Sequence, residues 1–200
     1  MSAGPSRRLA LAGMLSLAGC SVLPSEPYPD RRNWPLVVRR PEALPPRRNG
    51  AVLLVRTVGA APELEARGLQ WLRPDGSVHV DYYEQWAVPP AQAVDDDLRQ
   101  WLAASGIYAA VLAPGSRLGA DLVLEGELET FIADVPAGLG RARLAVVLLD
   151  QRPNPAKVKL QQTFTADVPL PGGTVPQLVD ALRAALRDVL RQVELALASA

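Results

Sequence analysis

The stretch from Asp121 to Val135, DLVLEGELETFIADV, alternates apolar and polar residues almost without a break, and it constrains the fold more than any other segment. A period of two puts successive side chains on opposite faces of an extended chain, so a strand with one buried face is expected. Leu122, Leu124, Leu128 and Ile132 form the expected inner row, and Glu125, Glu127, Glu129 and Phe131 the outer row. Gly138 and Gly140 mark a turn, after which Arg141 to Asp150 sets Ala142, Leu144, Val146 and Leu148 against Arg141, Arg143 and Ala145. Antiparallel pairing of the two stretches brings Arg141 and Arg143 opposite the glutamates, ordinary cross-strand charge pairing. Another strand is expected from Val158 to Val168, with Val158, Leu160, Gln162, Phe164 and Ala166 on one face.

A sheet of this kind leaves an apolar face to be covered, and the chain supplies two amphipathic helices. The longer runs through TVPQLVDALRAALRDVLRQVELALAS, where Leu178, Leu182, Ala185, Val189, Val193 and Ala196 form a stripe opposite Asp180, Arg183, Arg187, Asp188 and Arg191. Thr174 and Gln177 form a capping-box pattern at its start. The shorter follows Pro89 and Pro90, carries Val94, Leu98, Trp101, Leu102 and Ser105 at helical spacing, and meets a natural stop at Gly106. Its consecutive Asp95, Asp96 and Asp97 point about 100° apart and cannot converge on a metal, so a solvated cluster favoured by the helix dipole is expected.

Upstream, AVLLVRTV from Ala51 to Val58 is apolar on both faces, as in a central strand. GLQWLRPDGSVHVDYYEQWAV reads as a hairpin turning at Pro74, Asp75 and Gly76, and Ile107 to Leu112 as a further strand. Val78, Val80, Tyr82, Glu84 and Trp86 share one face of the hairpin's second strand. Residues 51–200 are therefore expected to form one α+β domain, a mostly antiparallel or mixed β-sheet with two helices packed on one face.

The beginning of the chain follows different rules. Cys20 is the only cysteine, so no intramolecular disulfide can form, and with a single histidine there are too few soft ligands for a closed structural metal site. Arg7 and Arg8 precede an apolar run from Leu9 to Gly19, which is too short to span a bilayer and has the layout of a secretory signal. Leu17, Ala18, Gly19 and Cys20 resemble a bacterial lipobox, in which the thiol is lipidated and residues 1–19 are removed. Acylated Cys20 would then be the membrane anchor, since each buried CH₂ adds roughly 0.8 kcal/mol and several chains hold firmly.

Residues 20–50 carry seven prolines and read mostly as a tether, with Trp34, Leu36 and Val38 alternating as in a short edge strand. Arg-Arg pairs at 31, 39 and 47 read as a solvated basic linker, with anionic headgroups as the alternative contact. Loss of residues 1–19 removes Arg7 and Arg8 and no acid, leaving 19 basic against 21 acidic residues, which does not suit nucleic acid.

No catalytic constellation emerges. The one histidine, His79, lies in a strand without a nucleophile-elbow serine, and there is no glycine-rich phosphate loop or metal-ligand spacing. No catalytic, cofactor-binding or metal-binding residue is assigned, and no cofactor is expected. The order of NWPLVV, AVLLVRTV, the aromatic strand ending in Trp86-Ala87, and the helix flanked by Pro89 and Pro90 with Leu98 and Leu102 resembles the auxiliary lipoproteins of ABC-type lipid transport systems. These form a paraquat-inducible lipoprotein C-like, MCE-associated group.

That resemblance implies a non-catalytic periplasmic lipoprotein. Its partners would be an MCE-domain conduit protein and inner-membrane ABC transporter subunits, and it could assemble as a homo-oligomeric ring. Ser21 after the anchor resembles outer-membrane sorting, and Tyr83 and Trp86 are the candidate subunit or partner contacts. An envelope-assembly or cell-wall-enzyme accessory, and a lipid-anchored hydrolase acting through Glu125, Glu127 or Glu129, remain the alternatives.

Overall fold

The computed structural model describes residues 30–200. Its axis is the long strand β7 (Leu122–Asp134), which continues through a tight turn into β8 (Leu139–Asp150), with β9 (Lys157–Pro169) alongside. The three form an antiparallel ladder, β7 on β8 and β8 on β9.

The other edge of β7 is shared by three short parallel neighbours. β2 (Val52–Val55) pairs at Leu122 to Leu124, β3 (Gly59–Ala60) at Glu127 and Leu128, and β4 (Gly68–Leu72) at Ala133 and Asp134. Beyond β2 lies β6 (Ala110–Leu112), also parallel. Beyond β4 come its hairpin partner β5 (Val78–Trp86) and then β1 (Arg32–Trp34), parallel to β5. The sheet is thus mixed, with the helices α1 (Pro90–Ala103) and α2 (Val175–Ser199) packed against it, the α+β fold expected.

Helix α2 buries a broader stripe than its sequence spacing outlines. Val179, Leu186, Leu190 and Leu197 join Leu178, Leu182, Ala185, Val189 and Val193 in the core. Facing them are Ala142, Leu144, Val146 and Leu148 of β8 with Phe164 and Ala166 of β9, all buried. Each fully buried Leu contributes roughly 1.5–3 kcal/mol by leaving water. At the helix start, Gln177 Oε1 accepts both the Thr174 N–H (3.2 Å) and its hydroxyl (2.7 Å). Gly140 lets α2 approach: a Cβ there would lie 2.8 Å from the Ala181 Cβ and 2.9 Å from its carbonyl carbon.

Two strands depart from the expected alternation, each by one extra residue. Leu128 pairs with Leu144 but Thr130 pairs with Arg143, so Glu129 is a β-bulge. The inner row of β7 therefore runs Leu122, Leu124, Leu128 and then Phe131 and Ala133, all buried. Phe131, expected outward, packs 5.6 Å from the Trp86 ring, and Ile132, expected inward, is only half-buried. In β9, Leu160 pairs with Leu148 and Val158 with Leu149, which bulges Lys159 and turns Val158 to the exposed face. A parity rule applied to sequence carries through a bulge unshifted, which is why both assignments moved.

Candidate functional site: the N-terminal strap and the hairpin surface

From Arg31 onward the chain belongs to the same compact unit as the sheet and helices. Residues 31–50, expected as mostly tether, form a strap whose alternating Leu36 and Val38 are buried, with Trp34 packed at the core margin. The strand lies earlier than the expected Trp34, Leu36 and Val38 segment: β1 ends at Trp34, where Pro35 removes a donor, and Leu36 and Val38 lie beyond it outside any strand.

Three carboxylates fasten the strap. Glu84 receives the Arg32 guanidinium and, at 2.7 Å, the Trp34 indole N–H. Asp97 accepts the Val38 N–H at 2.7 Å and pairs with Arg39. Glu194 accepts Arg40 at 3.2 Å and the Trp101 indole N–H at 2.6 Å. Bonds to backbone carbonyls complete the attachment: the Arg183 side chain donates to the Pro35 carbonyl, Leu44 N–H to Ala104 O (2.9 Å) and Arg47 N–H to Tyr108 O (3.0 Å). Gly106, at φ +72°, makes the turn against which Leu44 lies.

The aspartate cluster on α1 is therefore not the solvated one that the sequence suggests. Asp97 is 1% exposed and Asp95 is buried against Arg99 (2.7 Å), leaving only Asp96 in water. Burial pushes the Asp97 carboxyl above its ordinary value, opposed by the Val38 N–H and the Arg39 charge. Likewise the basic linker is only partly solvated, since Arg32, Arg39 and Arg40 each find an acid at least 52 residues away in sequence. Reading these pairs from sequence requires knowing which distant acids the fold brings near; the Arg-Arg doublets were the one visible signal.

Of the two aromatic contact candidates, Trp86 lies in the core at 2% exposure, beside Trp34 of the strap in the sheet. Tyr83 is half-buried, edge-on to the exposed Tyr82 (5.1 Å between centroids), whose ring also lies under the Arg31 guanidinium at 4.0 Å. His79 is half-buried, with its ring 4.1 Å from that of Trp71 and a nitrogen 3.5 Å from Asp81. Arg143 does pair with Glu129 (2.6 Å), while Arg141 reaches Asp134 (3.2 Å) instead of a glutamate. Glu125 is held by Arg56, so two of the three glutamates, Glu125 and Glu129, are engaged in ion pairs.

Among the described residues there is no group of His, Cys, Asp and Glu side chains able to hold a metal ion. No helix among them is long and apolar enough to cross a membrane. Cys20, the expected signal at 1–19 and the tether up to residue 29 lie outside the described residues.

Solved structures that share the fold include the following three. Protein XCC0632 from Xanthomonas campestris aligns with a TM-score of 0.65 at 24% identity, over 83% of this chain and 90% of its own. An uncharacterized protein aligns at 0.68 and 14% identity, covering 84% and 99%. The hypothetical protein CT253 from Chlamydia trachomatis aligns at 0.52 and 15% identity, covering 72% and 96%. No curated protein matches the chain. The family model of the ABC-type transport auxiliary lipoprotein component matches residues 36–194, from the strap to the last turns of α2, and the chain belongs to that family.

Proposed function

We propose that this non-catalytic auxiliary component is anchored through acylated Cys20 to the periplasmic face of the outer membrane. There it fixes the distal end of an MCE-type lipid conduit served by an inner-membrane ABC transporter. The observation that carries the reading is the strap. A chain leaving a lipid anchor would gain little positional control from a loose linker, but here residues 31–50 are clamped by Glu84, Asp97 and Glu194. Only 11 residue steps then separate Cys20 from Arg31, a reach of at most about 40 Å when fully extended. The domain would stand close to the bilayer, at a height set by that short span.

Tyr83, beside the exposed Tyr82 on β5, is the proposed contact for a partner or a neighbouring copy in a homo-oligomeric ring. Trp86, the other candidate contact, is packed on Phe131 in the core, so the contact is assigned to Tyr83.

The test is crosslinking of the full-length protein in its host, followed by mass spectrometry of what copurifies, beside a Cys20→Ser variant. MCE and ABC subunits should be enriched with the wild type, and the variant should leave the membrane fraction. Wild-type protein that brings down only peptidoglycan or outer-membrane assembly proteins would overturn the transport role in favour of an envelope-assembly accessory.

A further inference from the structure

We infer that the outer edge of the first half of β5 is a docking site for an extended, basic segment of another protein, which adds to the sheet as a strand and inserts apolar side chains into the adjoining cleft. Strand pairing gives the first argument. Arg73 N–H donates to Ser77 O at 2.9 Å, and Trp71 stands opposite His79 in the same register. These are the hydrogen-bonded positions of the hairpin, so Val78 and Val80 turn their own N–H and C=O groups away from β4. The strand on that outer side, β1, pairs only with Glu84 to Trp86. Among the described residues the edge beside Val78 and Val80 has no strand partner, and a new strand there would continue the line of β1.

The second argument is the cleft. Val78 and Val80 are 50% and 49% exposed and, with Leu64, Phe131 and Ile132, line a cavity of about 350 Å³. Two of its polar side chains are already engaged: the Gln70 amide donates to the Glu63 carbonyl, and Glu129 is paired with Arg143 at 2.6 Å. The walls therefore offer contact to apolar groups, with room for one or two aliphatic side chains. The remaining charge selects the flank, because the exposed Glu63 carboxylate at the rim has no ion pair among the described residues. Only a polypeptide supplies alternating backbone donors and acceptors, alternate apolar side chains and a Lys or Arg together.

This inference rests on the partner-docking reading above and deepens it by naming the contact chemistry. The experiment places photoreactive p-benzoylphenylalanine at Val78 of the full-length protein in its host, and at the exposed Val158 as a control. Cross-linked peptides are then sequenced. The expected result is an adduct at Val78, absent at Val158, on a stretch of another protein with alternating apolar residues and a nearby Lys or Arg. Its yield should fall roughly five-fold in a Glu63→Lys background, since one attraction becomes a repulsion, while the melting temperature is unchanged.

An adduct with a second copy, with this chain's own N-terminal residues or with lipid overturns the inference, as does one indifferent to Glu63→Lys or no adduct at all. If MCE and ABC subunits still copurify while the Val78 adduct is missing, only this inference fails. If they do not copurify with the wild type, the broader reading fails as well.

Discussion

The two edges of β7 are built on different principles. Along one edge a single ladder of β8 and β9 is joined by short connections, so each pairing lies close in sequence and is roofed by α2. Along the other edge β2, β3 and β4 each contribute two or three paired residues, gathered from segments 62 to 69 positions upstream. The ladder resists change through hydrophobic burial. The patchwork edge also buries Leu53, Val55 and Leu69, but the strap beyond it is fastened by individual polar contacts, and it is on this side that the aromatic surface and the open β5 edge are found.

The contrast is tested most severely in the ladder. Leu144→Ala should cost about 2–5 kcal/mol, measured by denaturant unfolding, because Leu144 is fully buried beneath α2 and truncation leaves a cavity. A cost below about 1 kcal/mol would mean that the α2 roof repacks freely.

On the other side, Asp97→Ala should cost about 1–3 kcal/mol by leaving the buried Val38 N–H without an acceptor. Hydrogen exchange at Val38 should quicken while β7–β9 amides stay protected. Asp97→Asn keeps an acceptor and should recover most of that loss. Because burial raises the folded-state pKa of Asp97, the folded protein holds this proton more tightly than the unfolded chain. The stability from this group is thus full below the ordinary carboxylate value and declines as pH rises through the raised value. Asp97→Asn should flatten that decline in a stability-versus-pH series, and an unchanged slope would remove Asp97 as its source.

Capping comes next in size. Gln177→Ala removes the acceptor for the Thr174 N–H and hydroxyl and should lower stability by about 1 kcal/mol. The smallest effect belongs to the exposed end of the ladder. Arg152, hydrogen-bonded to Asp150, holds that carboxyl at about 2. Its stabilising contribution is present above the ordinary carboxylate value and lost as pH falls toward about 2. Arg152→Ala should raise the Asp150 midpoint in an NMR titration with little change in melting temperature.

Sequence patterning identified the ladder and α2 well because their information is local: a period of two, a period near 3.6, a turn and a cap. It failed at Glu129 and Lys159, where an inserted residue reverses parity without altering composition. It also missed the carboxylates that hold the strap. Nothing local distinguishes Asp97, which is buried, from Asp96, which is in water; the difference is that Val38 and Arg39 arrive from 58 or 59 residues away. The aromatic strand was legible as an element, but burial separates Trp86 from Tyr83 only once β1 and Phe131 are in place.

The strap also determines how the domain bears load. Tension directed along β1 would shear its bonds to the parallel strand β5 together instead of unzipping them one at a time. Behind β1, the fastenings at Asp97 and Glu194 lie in series along the strap, so each is loaded only after the one before it has yielded. A pull from the N-terminal side would therefore be absorbed in steps across β5, α1 and α2 before reaching the ladder.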